Sequence, residues 1–247
     1  MISLKSKREI AIIQDAAEIL KQIFVEVKPA VQPGVSTEEL DRIAENVICK
    51  RGARPAFKGY RGFPKTACIS LNEEVVHGIP SKRILKEGDI ISVDIGCQLE
   101  GYFADAARTW PVGRITSSQM RLVETAQLSF ESGVSVYKSG CRLGDISAGI
   151  QKCIEERGYQ VIRDYVGHGI GRNLHEDPQV PNYGKAGHGI KIEEGLVLAI
   201  EPMVAEGHWK VKVLQDGWTV VTADGKLSSH YEDTVVFMDG KVVNLTA

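Results

Sequence analysis

The sequence has no apolar run approaching the roughly 18 residues that cross a bilayer, so no transmembrane helix is expected. Near the N-terminus, Ala11-Ile12-Ile13 is cut short by Gln14-Asp15. That is too brief for a signal-peptide core, which argues against secretion and for a cytoplasmic setting. No charge of one sign dominates: 30 Lys and Arg stand against 32 Asp and Glu, for a net charge of -2. Without a basic tail or stripe, nucleic acid is a poor default partner. Cysteine is scarce, with 5 in all, at Cys49, Cys68, Cys97, Cys141 and Cys153. The number is odd, the spacing wide and C-x-x-C absent, which disfavours a disulfide framework and a thiolate zinc site. The five are expected to be buried thiols. The nucleophile elbow G-x-S-x-G, the dinucleotide fingerprint G-x-G-x-x-G and the zinc motif H-E-x-x-H are all missing.

What remains is an ordinary globular composition, 43% hydrophobic and 25% charged over 247 residues, long enough to bury a sizeable core. Four stretches carry helical periodicity. Ile10, Ile13, Ala17, Leu20, Phe24 and Val27 form one stripe. A second follows the capping box Ser36-Thr37-Glu38-Glu39 and carries Leu40, Ile43 and Val47. A third starts near Thr116, with Gln119 three later, and carries Val123, Ala126, Phe130, Val134 and Tyr137. The fourth carries Ile146, Ile150, Cys153 and Ile154. Strand-like runs lie at 66–72, 90–95, 102–110, 196–201, 217–222, 231–237 and 241–245.

The order helix, helix, strands occurs twice. A shift of 106 aligns Gly34, Arg51 and Gly52 with Gly140, Arg157 and Gly158, and a shift of 107 aligns 88–94 with 195–201. Each half then has an acid closing an apolar strand, Asp94 or Glu201, and a second acid on the next strand, Asp105 or Glu232. The expectation is a single catalytic domain over 1–247, written as two like halves of about 1–112 and 113–247. Its class is α+β, with antiparallel sheets in the middle and helices outside. Equivalent acids would converge at the seam.

Acids embedded in such apolar strands are expected to be buried, and burying one carboxylate without a partner is costly. Four together repel unless some are protonated or cations are present. With no matching cluster of Lys or Arg, two divalent ions are the expected neutraliser, and they would leave a site able to hold a hydroxide. A fifth element is Gly167-His168-Gly169-Ile170-Gly171, in which alternating glycines let the backbone approach something closely. His168, so flanked and followed by His175, reads as a ligand more than as a cap.

The run Tyr165-x-Gly167-His168-Gly169-Ile170-Gly171-x-x-x-His175-x-x-x-x-Val180-x-Asn182-Tyr183 resembles the signature of type I methionine aminopeptidases, a branch of the M24 metallopeptidases. Phe57-Lys58-Gly59-Tyr60-Arg61-Gly62-Phe63-Pro64, Val76-His77-Gly78-Ile79-Pro80, Ile200-Glu201-Pro202-Met203 and Asp216-Gly217-Trp218-Thr219 are similar to that family too, in order and along nearly the whole chain. The resemblance implies the pita-bread fold of two pseudosymmetric halves and a dinuclear site on Asp94, Asp105, His168, Glu201 and Glu232. Asp105 and Glu232 would bridge the ions, Asp94 would chelate one, and His168 with Glu201 would serve the other. Such a set suits Mn, Fe, Co or Zn. The implied activity is removal of the N-terminal methionine from peptides and nascent proteins, with a small second residue preferred, by a metal-bridging water or hydroxide. Glu201 would shuttle the proton, His175 would stabilise the oxyanion and His77 would contact the peptide.

The methionine pocket implied by motif position is Tyr60, Phe63, Cys68, His77, Leu174 and Trp218, with Phe57 close by. Departures from the family fall on Phe57, Phe63, Leu174 and Phe103-Ala104-Asp105-Ala106, not on the five ligand positions. Glu201 and Glu232 are only 31 positions apart, too close for the insertion of type II enzymes. The resemblance is therefore to the bare type I core, a monomer that would meet the peptide N-terminus and transiently the ribosome. Two other readings compete: a pita-bread exopeptidase cleaving before proline, and a pseudoenzyme binding peptides. The intact signature and the filled ligand set weigh against them.

Overall fold

A computed structural model describes residues 2–138 and 140–247. The first half runs α1 (Lys7–Val27), α2 (Thr37–Lys50), β1 (Arg54–Pro55), β2 (Ala67–Leu71), β3 (Glu74–Val76), β4 (Ile90–Leu99) and β5 (Tyr102–Pro111). Next come α3 (Ser117–Ser135), α4 (Leu143–Glu156), β6 (Gln160–Val161), β7 (Gly167–Gly169), β8 (Glu176–Val180), β9 (Val197–Ile200) and β10 (Met203–Ala205). The chain closes with β11 (Val211–Val213), β12 (Val220–Thr222), β13 (Ser228–His230), β14 (Glu232–Met238) and β15 (Lys241–Asn244).

The helices start where their caps dictate. Ser6 and Glu9 make a reciprocal capping box at α1, and Thr116 with Gln119 does so at α3. At α2 only half of the expected box forms. Ser36 accepts from the Glu39 N–H, but the Glu39 carboxylate turns to Arg42 at 3.8 Å instead of returning to the cap. The α1 stripe, Ile10, Ile13, Ala17, Leu20, Phe24 and Val27, is buried as its spacing requires.

In the nine-stranded sheet the order is β1-β4-β5-β14-β9-β7-β8, with β2 also on β4 and β15 on β14. Every pairing is antiparallel. About the β5–β14 seam the order is palindromic: β2-β4-β5 on one side, β7-β9-β14 on the other. Period-two alternation decides what each face carries. On the helix side Ile91, Val93, Ile95, Ala104 and Ala106 join α1 and α2 in one core. In the second core Leu198, Ile200 and Phe237 meet Phe130 of α3 with Ile146 and Ile150 of α4. Fully burying a side chain such as Phe237 stabilises by about 1.5–3 kcal/mol, and truncating it to alanine costs about 3–5 kcal/mol.

The cysteines differ from expectation in part. Cys68, Cys97 and Cys141 are buried, but Cys49 is exposed near the C-terminal end of α2 and Cys153 on α4 is half-covered. Neither of these two lies at a position of its helix that faces the core. All five are free thiols.

Candidate active site

The acids project from the sheet face opposite the helices. In the β4–β5 hairpin Asp94 pairs with Ala107 and Gly96 with Asp105, so the two aspartates are diagonal neighbours on one face. Glu232 also opposes Ala107, from β14, and shares that face. His168 on β7 opposes Ala199 of β9, and Glu201 follows the end of β9. A Cβ at Gly96 would lie 2.8 Å from the Phe57 ring and 3.3 Å from Asp105 Oδ1, so glycine there keeps the carboxylate in place. The glycines flanking His168 have an equally local cause. A Cβ on Gly167 would stand 2.4 Å from the Ala199 carbonyl oxygen, and one on Gly169 2.2 Å from that of Asp177. β7 is thus pressed between β9 and β8, and only glycine lets His168 sit there.

Burial perturbs every acid, and crowding adds to it at Asp94, Glu201 and Glu232. Burial, then the charges of Asp105 and Glu201, push the Asp94 carboxyl well above its ordinary range. Burial raises Asp105 to about 7, against hydrogen bonds from the Ala106 backbone and Asp94. Burial and then Asp105 push Glu201 and Glu232 well up. His168 moves the other way, to about 3, because burial and the neighbouring His175 disfavour its cation. Asp94 Oδ1, Asp105 Oδ1 and Glu232 Oε1 are buried with no hydrogen-bond partner. Among the described residues no lysine or arginine pairs with the four acids; Arg108, beside Glu232 in the fold, gives its guanidinium to Asp233 at 2.6 Å. Orphaned carboxylate oxygens facing one another around an imidazole that is not protonated are the donor set of a divalent cation site. Asp105, His168 and Glu232 bring one donor atom each to within 4.8 Å of one another.

Above the acids lies a cavity of about 160 Å³. Every site residue nominated from the sequence lines it: Asp94, Asp105, His168, Glu201 and Glu232 at the floor, with Tyr60, Phe63, Cys68, His77, Leu174, His175 and Trp218 around them. Phe63 and Trp218 meet edge to face at 5.2 Å. His77 sits edge-on to Tyr165 at 5.5 Å and to Trp218 at 6.4 Å. Its backbone is left-handed, φ 61, a conformation costly for a non-glycine residue and found where a side chain must be aimed. Burial, then His175, lowers His77 to about 4. The His175 Nδ1 lies 2.9 Å from the Tyr60 hydroxyl, with the rings stacked, and the ring lies 4.2 Å from His168, centre to centre. Burial and then Arg61 hold His175 below its usual value.

The lining also includes Phe57 and Arg61, the second of which was not nominated. A more telling omission is His230, wholly buried beside Glu201 and Glu232. The signal for it was present: in His230-Tyr231-Glu232 the histidine precedes the acid by two, so strand alternation favours one face for both.

The sequence profile of metallopeptidase family M24 matches residues 11–239. A methionine aminopeptidase of Clostridium perfringens is 52% identical over 96% of this chain and 96% of its own. Methionine aminopeptidase 1 of Bacillus subtilis is 49% identical over 97% and 96%. The crystal structure of methionine aminopeptidase from Thermotoga maritima superposes with a TM-score of 0.98, at 44% identity over 100% of this chain and 99% of that one. A prolidase from Pyrococcus furiosus, 24% identical, shares the fold at a TM-score of 0.81 over 99% of this chain and 65% of its own. With buried acids and a histidine converging on one sheet face, and relatives matched end to end, the chain belongs to metallopeptidase family M24 and, within it, to the methionine aminopeptidases.

Proposed function

We propose that this chain hydrolyses the first peptide bond of chains that begin with methionine, preferring a small second residue, with two divalent ions held by Asp94, Asp105, His168, Glu201 and Glu232. The observation that carries the reading is the junction of four crowded carboxyls, three of them with an oxygen that has no hydrogen-bond partner, with an aromatic cavity in one site. When bound, the ions supply Lewis acidity and bring the pKa of a coordinated water down toward neutrality. The protein residues do the rest. Phe63, Cys68 and Trp218 take up the methionine side chain and exclude water. Glu201 takes up a proton from the attacking water and passes it to the departing amine. Tyr60 donates its hydroxyl proton to His175 Nδ1, which leaves Nε2–H as a donor to the carbonyl oxygen as charge develops on it. His77, aimed by its left-handed backbone, contacts the peptide.

The test is methionine release from a Met-Gly peptide beside an X-Pro peptide, after chelation and with Mn or Co restored. Metal-dependent release from Met-Gly is expected. Turnover of X-Pro alone, or full turnover with metal verified absent, overturns the reading.

A further inference from the structure

His230 ends β13, and its backbone is locked on both sides by one hydroxyl. Its N–H donates to Thr109 Oγ1 at 3.0 Å and Thr109 Oγ1 donates to its carbonyl at 2.7 Å. That hydroxyl is held in turn by Ser92 at 2.7 Å. The imidazole so fixed is 1% exposed, and neither ring nitrogen has a hydrogen-bond partner. Nε2 lies 3.9 Å from Glu201 Oε2 and 3.9 Å from Glu232 Oε2. Those distances are too long for hydrogen bonds. They match donors that share one cation, since ligand atoms about 2.0–2.2 Å from a common ion lie about 3–4 Å apart. The three donor atoms fall within 4.8 Å of one another. Glu201 turns its other oxygen, Oε1, toward His168 Nε2 at 3.7 Å, so its carboxylate stands between two buried imidazoles.

We propose that His230 is a sixth protein donor of the metal centre, its Nε2 completing a corner with Glu201 and Glu232 that takes a late first-row divalent cation. The proposal rests on the metallopeptidase reading above. A second imidazole among carboxylates tilts the site toward Co, Fe or Zn and away from Mn, which is content with oxygen. The hydroxyl lock at Thr109 then has a purpose beyond sheet pairing: it fixes a ligand ring.

The experiment loads chelated protein with Zn(II) and counts imidazoles by X-ray absorption, and titrates Co(II) and Mn(II) calorimetrically. Summed over the zinc bound per chain, two imidazoles are expected in the parent, and one in both His230→Gln and His168→Gln. His230→Gln should weaken Co(II) binding about 10–100-fold and Mn(II) binding less. Circular dichroism of the chelated variants checks folding, and the parent's count decides even if a variant fails to fold. A single imidazole in the parent, or unchanged Co(II) affinity in a folded His230→Gln, overturns the proposal and leaves the metallopeptidase intact. A parent that binds no divalent ion overturns both.

Discussion

Arg108 and Asp233 form a buried ion pair, 2.6 Å from Nη2 to Oδ1, on the helix side of the sheet behind the acids. Asp233 alternates with Glu232 along β14, so one carboxylate faces the arginine and its neighbour faces the site. The same guanidinium donates to the Glu232 carbonyl at 2.6 Å and lies over the rings of Phe24 and Tyr231. Thr246 and Asn244 complete the Asp233 shell at 2.6 and 2.7 Å. Removing one partner strands the other charge. Arg108→Ala is expected to cost about 3–5 kcal/mol in urea unfolding. A double variant, Arg108→Met with Asp233→Leu, should cost clearly less. Equal losses in the two would show that packing, not the pair, holds the seam.

The metal-free protein should respond to pH in a sense opposite to most proteins above neutrality. Raised carboxyls mean that the folded state keeps protons the unfolded chain has released. Their contribution is full at low pH and is lost as pH climbs through the folded values, about 7 for Asp105 and well up for Asp94, Glu201 and Glu232. The depressed histidines oppose this at lower pH. His77 at about 4 and His168 and His230 at about 3 lose their contribution as pH falls below about 6.5, where the unfolded chain protonates. The unfolded histidines are still half protonated at about pH 6.5, so the carboxyls alone decide the slope only from about pH 7.5 upward. Chelated protein is therefore expected to lose about 1.4 kcal/mol per pH unit for each excess proton it holds. Glu232→Gln should flatten that slope. Urea melts that show rising stability over this range contradict the assignment.

His175 and His168 lie 4.2 Å apart, ring to ring, yet are expected to fail differently. His175→Ala should lower kcat about 100-fold or more, on the scale of losing one oxyanion donor, with metal content unchanged. His168→Ala should lower metal affinity itself. Tyr60→Phe removes only the hydrogen bond that orients His175, so about 1 kcal/mol, or roughly 5-fold in kcat, is expected. Metal analysis beside kcat on the three variants checks this. Metal lost from His175→Ala and kept by His168→Ala would reverse the roles.

Much of the site could be read in the sequence because strand alternation is local. An acid closing an apolar strand, repeated in two halves, is visible without coordinates, and Asp94, Asp105, Glu201 and Glu232 do meet. The long helices were equally legible from their stripes and from caps such as Thr116 with Gln119. The short strands were not. β7 is three residues of Gly-His-Gly whose strand character comes from being pressed between β8 and β9. His230 was missed because β13 is only three residues long and carries no apolar alternation. Its backbone is fixed by Thr109 from another part of the chain. Arg61 was passed over because a left-handed residue in a loop, φ 49, has no periodic signature.

The pocket sets the last expectation. Phe63 and Trp218 meet edge to face and Cys68 is buried beneath them, a wall of polarizable groups suited to an unbranched thioether. Trp218 also borders His77, so its ring joins the side-chain pocket to the peptide-binding edge. Removing it should weaken both. Trp218→Ala is expected to lower kcat/KM on Met-Gly about 10–100-fold, with bound metal as in the parent. In the parent, a first side chain one methylene shorter than methionine should lose roughly 1–3 kcal/mol of discrimination. That gap should shrink in the variant, because the lost wall no longer measures length. A second residue such as lysine should be cleaved far more slowly than glycine by both proteins, since Trp218 holds the first side chain and not the second. Equal turnover of Met-Gly and Met-Lys by the parent would contradict the small-residue preference. An undiminished length discrimination in Trp218→Ala would move the methionine out of this cavity.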